Sequence, residues 1–183
     1  MSCDKQKLEE LLEETGIHDY RFVHPETDVF VKQWVRFRCM FGCKGYGVCG
    51  SCAPALPSVA ECREMIMEYS DALLIHEKVP FTDSKTYNAR LFEIYQQHME
   101  MERKAFLAGC YKAFLLPLIP CRLCKVCQAV GDHTKCVNKK NSRPGIEAMG
   151  VDVFATARKA GYEIQVVSEF GQDTDRFSLL LLD

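Results

Sequence analysis

The sequence predicts an α/β fold: a mixed sheet flanked by helices, with two cysteine-rich loops at strand ends. Two observations carry that expectation. Short apolar runs of strand length (residues 71–76, 112–118 and 177–182) alternate with longer stretches of helical periodicity. Eight cysteines also fall into two groups of four, and each group follows a segment that reads as a strand, so both are expected at one end of one sheet.

Residues 4–15 place Leu8, Leu11 and Leu12 on one face against Glu9, Glu10, Glu13 and Glu14, which predicts a helix ended by Gly16. His18 and His24 follow and read as surface side chains. Residues 29–37 alternate loosely, with Val29, Val31, Val35 and Phe37 against Lys32, Arg36 and Arg38, and predict a strand running into Cys39. Trp34, the only tryptophan, is expected in the core or sheltering the nearby cysteines. Gly42, Gly45, Gly47 and Gly50 make residues 39–52 a loop whose backbone N–H groups can turn toward sulfur or an anion. Gly45 and Gly50 have phosphate-loop spacing, but Ser51 stands where the lysine belongs, which excludes that motif.

Ser58 and Glu61 form a capping-box pair for a helix over residues 58–69. Val59, Cys62, Met65, Ile66 and Tyr69 make its apolar stripe, and Cys62 is read as core. A buried strand over 71–76 and a turn over 79–83 lead to the longest helix, 84–110, with His98 as a satisfied core histidine and Gly109 as its stop. Residues 112–118 predict a strand that delivers Pro120 and Cys121. A last helix is expected over 143–160, then strands at 162–167 and 177–182 joined through 168–176 as a hairpin.

The cysteines carry the chemistry. Cys121-x2-Cys124-x2-Cys127 is the run that wraps three corners of a [4Fe–4S] cube, with the fourth ligand from farther along, here Cys136. Ferredoxin runs place that fourth cysteine after three residues and follow it with proline; here the gap is eight and Val137 follows. The upstream set, Cys39, Cys43, Cys49 and Cys52, is less specific. Its Cys-x3-Cys start matches a radical adenosylmethionine loop, but the third cysteine comes after five residues instead of two. Two [4Fe–4S] clusters are the expected cofactors, and zinc in two closed four-thiolate sites is the alternative. Arg122, Lys125, Lys135, Lys139, Lys140 and Arg143, against Asp132 alone, offset the charge of about −2 that four thiolates leave around a divalent centre, or simply face solvent. His133 is read as a donor to sulfur, a substitute ligand or a surface residue.

The totals set the bounds. At 183 residues and 48% hydrophobic content, the chain suits one domain. Residues 1–28 are expected as an N-terminal helix and linker, and 29–183 as a metal-binding α/β domain. A net charge of −2 gives no argument for nucleic acid or a membrane surface. The longest apolar run, 113–120, is far below the roughly 20 residues needed to span a bilayer. Eleven cysteines, an odd number, behind a charged N-terminus predict a reducing, cytoplasmic setting. No nucleophile elbow, zinc-protease helix or dinucleotide fingerprint is present, and Cys3 and Cys110 have no predictable base, so no catalytic residue is assigned.

In context, the chain resembles a family of small cysteine-rich predicted metal-binding proteins, a domain of unknown function in bacteria and archaea. The resemblance rests on Cys39 and Cys43, the run from Tyr46 to Pro54, Phe106 to Gly109, Pro120 with Cys121, Cys124 and Cys127, Cys136, and the run from Arg143 to Val153. It covers most of the chain from about residue 30 and implies metal binding. Arg143, Glu147 and Asp152 lie in the matched stretch, where they either cap and orient the last helix or take a role in the site. The eight cysteines in two groups after strands, and not the resemblance, lead to the expectation of electron transfer to, or redox support of, a partner protein. The alternatives are a zinc-braced interaction module, or a redox enzyme with an open cluster position.

Overall fold

The computed structural model describes residues 4–167, 169 and 171–183. Cys3 and Ser168, both part of the expectations above, lie outside the described residues. Helix α1 (Lys5–Thr15) is capped by the Asp4 side chain and closed by Gly16 at φ 74°. Strand β1 (Tyr20–Val23) and the single turn α2 (Pro25–Asp28) lead to α3 (Gln33–Gly42). Next come α4 (Val59–Met67), β2 (Ala72–Pro80), α5 (Ser84–Leu107) and β3 (Phe114–Leu116). After a long loop, α6 (Val153–Lys159) and β4 (Asp173–Leu181) complete the chain.

The four strands form one sheet in the order β1-β2-β4-β3, and each pairing is antiparallel. Its axis is the nine-residue register from Ala72↔Leu181 to Pro80↔Asp173. The pleat sends Leu73, Ile75 and Leu180 to one face, where Leu8, Leu12 and Met101 from α1 and α5 cover them. Leu74, Phe177 and Leu179 point the other way, against Val59, Cys62 and Ile66 of α4 and Ala157 of α6. The result is three layers, helices on both faces of the sheet. A third apolar cluster, with Val79, Leu91, Ile94, Tyr95, Leu118 and Ile119, lies between the sheet and the cysteine loops.

Two polar networks lock the layers. His76 on β2 bonds Asp19 through Nδ1 at 2.6 Å and Asp175 through Nε2 at 2.9 Å, while the Tyr162 hydroxyl donates to Asp19 at 2.8 Å. Burial alone would raise the Asp19 carboxyl, but the hydrogen bonds from His76 and Tyr162 outweigh it and hold the carboxyl below its usual range. On the other side, buried Glu102 of α5 accepts from the Leu115 N–H at 2.7 Å and pairs with Arg143, whose Nε donates to it at 2.8 Å.

Several sequence expectations change. Residues 29–37 are not a strand. Only Val31 makes an isolated bridge, to Val151, and α3 begins at Gln33. The alternation there joined two different pieces, an extended lead-in and a helix with Val35 as its buried residue. Trp34 is therefore half-exposed on α3 rather than core, and Cys39 follows no strand. The strand expected over 71–76 runs on to Pro80, taking the first two residues of the expected turn at 79–83 and leaving 81–83 as the connection. The helix over 143–160 is broken: a short 3₁₀ turn, Glu147–Met149, ends at Gly150 with φ 86°, and Asp152 then caps α6. Residues 162–167 form no strand, and β4 pairs with β2 and β3 instead of making a hairpin. Within the expected linker, β1 is an edge strand of the sheet.

The Glu102–Arg143 pair is nearly out of solvent, with side-chain exposures of 8% and 17%. Removing one member leaves the other charged group without its partner. Glu102→Ala should lower unfolding free energy by about 3–5 kcal/mol in urea titrations. An unchanged midpoint would show that this pair does not hold the fold.

Candidate metal centre

The first cysteine group starts on α3. Cys39 is in its last turn, and Cys43, four residues on, caps the helix with its N–H on the Cys39 carbonyl at 3.2 Å. An i, i+4 step puts both on the same side of the helix. Closely spaced turns then fold the loop back on itself: Tyr46 N–H to Cys43 O, Val48 N–H to Gly45 O, Cys52 N–H to Cys49 O and Ala55 N–H to Cys52 O. Gly47, at φ 74°, lets its N–H reach the Ala53 carbonyl at 2.8 Å.

The second group sits on the loop between β3 and residue 143. Its two ends are strapped together, because the Cys121 N–H donates to the Arg143 carbonyl at 3.3 Å. Arg143 is itself held by Glu102, and the Tyr95 hydroxyl donates to the Asn141 carbonyl at 2.5 Å. Asp152 caps α6 as expected, whereas Arg143 anchors this loop instead of the last helix.

The two loops meet at Gly50. Its N–H donates to Cys127 Sγ at 3.3 Å, and a Cβ there would stand 2.6 Å from the Ala129 carbonyl oxygen. His133 reaches across as well, donating from Nε2 to the Ala55 carbonyl at 2.8 Å, so its role here is to tie one loop to the other. One cavity of about 1130 Å³ results, and all eight cysteines, Cys39, Cys43, Cys49, Cys52, Cys121, Cys124, Cys127 and Cys136, line it. Other sulfurs also receive donors: Gly45 N–H to Cys43 Sγ at 3.3 Å and Asn138 Nδ2 to Cys124 Sγ at 3.2 Å. Among the described residues, no three or more His, Cys, Asp or Glu side chains are arranged to hold a single metal ion.

A model of a protein family matches residues 23–182, under the description "Predicted metal-binding protein (DUF2284)". The chain belongs to this family. No curated protein and no solved structure matches it. The thiols that line the cavity are soft donors, of the kind zinc and iron–sulfur centres take.

Within the cavity the thiols are not alike. A hydrogen bond from Cys52, helped by Ser51 and the Arg122 charge, brings Cys49 down to about 6 against burial. The same bond, and then burial, push Cys52 upward, so the two share one proton. Cys39 is raised by burial and by the Glu147 carboxylate. Cys62 and His98, both read as core, are buried as expected. His98 lies between Ser178 Oγ at 2.9 Å and Glu77 at 3.3 Å. That set has the composition of a hydrolytic triad, but Ser178 and His98 are wholly buried and the Ser178 oxygen takes the Leu118 N–H, so it braces the sheet. Among the described residues, no helix is long and apolar enough to cross a membrane.

Glu147, singled out in the matched stretch, lines the cavity; sequence reading missed Gly50 as the contact between the loops, and Tyr87 and Arg176 as cavity residues. Of the three missed residues only Gly50 carried a signal, a glycine between two cysteines.

Gly50→Ala should force the loops apart, lowering stability by about 1–3 kcal/mol and reducing metal bound per chain. Unchanged metal content and melting would show that the seam is not tight. In the reduced, metal-free chain, iodoacetamide labelling of Cys49 should rise as pH climbs through about 6, because its lowered value populates the thiolate above that pH. Cys52→Ala should move the midpoint up toward the ordinary thiol range. A Cys49 midpoint already in that range would contradict the shared proton.

Proposed function

We propose that this DUF2284 protein holds two [4Fe–4S] clusters, one on Cys39, Cys43, Cys49 and Cys52 and the other on Cys121, Cys124, Cys127 and Cys136, and passes electrons to a partner protein. The observation that carries this reading is the single cavity of about 1130 Å³ lined by all eight thiols. A zinc ion draws four sulfurs to about 2.3 Å from one point and closes its site. A polynuclear cluster needs volume, and this cavity has it. Backbone and amide donors to sulfur, at Cys43, Cys124 and Cys127, are the contacts that tune cluster potential. Two centres in one cavity also suit stepwise electron transfer.

The partner reading has support on α3. Its outer side exposes Trp34, Phe37, Met40 and Phe41, the last 78% accessible, directly beside Cys39 and Cys43. Residues 29–60 carry Lys32, Arg36, Arg38 and Lys44 and no acid. An acidic redox protein complements that charge, and the aromatic side chains supply the apolar centre of such a contact.

Protein purified without oxygen should be brown, with iron and labile sulfide in near-equal amounts and an absorbance that bleaches with dithionite. A colourless protein carrying only zinc would overturn the cluster reading and leave the braced interaction module.

A further inference from the structure

A second cavity, of about 220 Å³, adjoins the thiol-lined one. Tyr87, Leu118, Ile146, Glu147 and Arg176 line both. Its origin lies in the sheet. β3 pairs only with Leu179, Leu180 and Leu181 of β4, whereas β2 follows β4 along its other side as far as Asp173. The chain turns away after Leu116, and the earlier half of β4 is left with an open edge on that side. Both cavities run along this edge, and Arg176 stands on it.

The aim of Arg176 is fixed. Its Nε donates to the Tyr87 hydroxyl at 2.6 Å, and its guanidinium lies over the Tyr87 ring at 5.5 Å. The Tyr87 hydroxyl in turn bonds Thr174 Oγ1 at 2.9 Å, which donates to the Val79 carbonyl at 3.0 Å. Two neighbouring carboxylates are engaged elsewhere. Glu77, directly across the register from Arg176, bonds His98, and Asp175 bonds His76 at 2.9 Å. Among the described residues Arg176 forms no ion pair, so its fork has no anion of its own. Beyond it, Val153, Phe154, Ile164 and Phe177 give the smaller cavity an apolar side, while Gln165, Thr174 and Asp175 also line it.

We propose that this edge binds a small organic monocarboxylate, its carboxylate on the Arg176 fork and its apolar body in the smaller cavity. A guanidinium suits a carboxylate because both are planar and can form two parallel hydrogen bonds. A concave site with apolar side chains and a few placed polar or charged groups is the usual form of a ligand site. The Glu147 and Asp175 carboxylates, which also line the smaller cavity, disfavour a second negative charge on the ligand. The ligand's charged end then faces the thiol-lined cavity. This proposal stands on Arg176 and the two cavities, and holds whichever metal the thiols carry.

The test is calorimetric titration of the metal-loaded full chain with sodium benzoate and with benzamide, its neutral isostere. Benzoate should bind saturably with one site per chain, and benzamide at least about tenfold more weakly. Arg176→Gln should weaken benzoate by a similar factor, with metal content unchanged. Arg176→Lys, which keeps the charge and loses the fork, should fall between the two. Absence of benzoate binding, equal affinity for benzoate and benzamide, or unaltered affinity in Arg176→Gln would each overturn the proposal. So would loss of metal in Arg176→Gln, which would assign the guanidinium to balancing thiolate charge. The benzoate–benzamide comparison needs no variant, so it decides the matter even where a substitution fails to fold. Metal identity, measured on the same sample, separates failure of the cluster reading from failure of this one.

Discussion

The clasp between Glu102 and Arg143 is the constraint on which the site depends. A loop that carries four thiols and six cations has little apolar surface with which to hold itself down. Its base is secured instead by one ion pair at the edge of the core. Glu102 also takes the N–H of Leu115 in β3, so the same carboxylate positions the strand that enters the loop and the arginine that leaves it. From there the Arg143 carbonyl holds Cys121, and the geometry of the second cysteine group follows.

The first group has a different support. It is built on a helix end and a chain of tight turns, and reaches its partner loop through Gly50. Neither loop is a free-standing metal-binding finger. Each forms part of the other's wall, which is why one cavity serves eight cysteines. The differing thiols inside it, one lowered at Cys49 and others raised at Cys39 and Cys52, reflect unequal burial and neighbours instead of sequence spacing.

The sequence was most legible where a local signal decided the structure. The Ser58–Glu61 capping box, the ending of α1 at Gly16 and the long α5 stripe with His98 inside were all readable, because each depends on residues within a few turns of one another. The grouping of cysteines was readable for the same reason. Less legible were features decided by distant partners. Val29 to Phe37 alternated like a strand, yet no neighbouring strand was there to pair with it. Tyr162 to Val167 had strand composition, but β2 and β3 already occupied both sides of β4 near its end. The helix over 143–160 was overextended because Gly150 and Asp152, a stop and a cap, were read as interior residues. Arg176 gave no sequence signal at all, since its place depends on how far β3 runs beside β4.

The position of β4 has a consequence for how the molecule comes into being. It is the latest of the described strands to leave the ribosome, yet it occupies an interior place between β2 and β3. Both cysteine loops are therefore synthesised before the element that joins the two halves of their scaffold exists. Until β4 arrives, β2 and β3 lack the strand that both pair with, so the sheet beneath the thiols is completed only after both cysteine loops have been made.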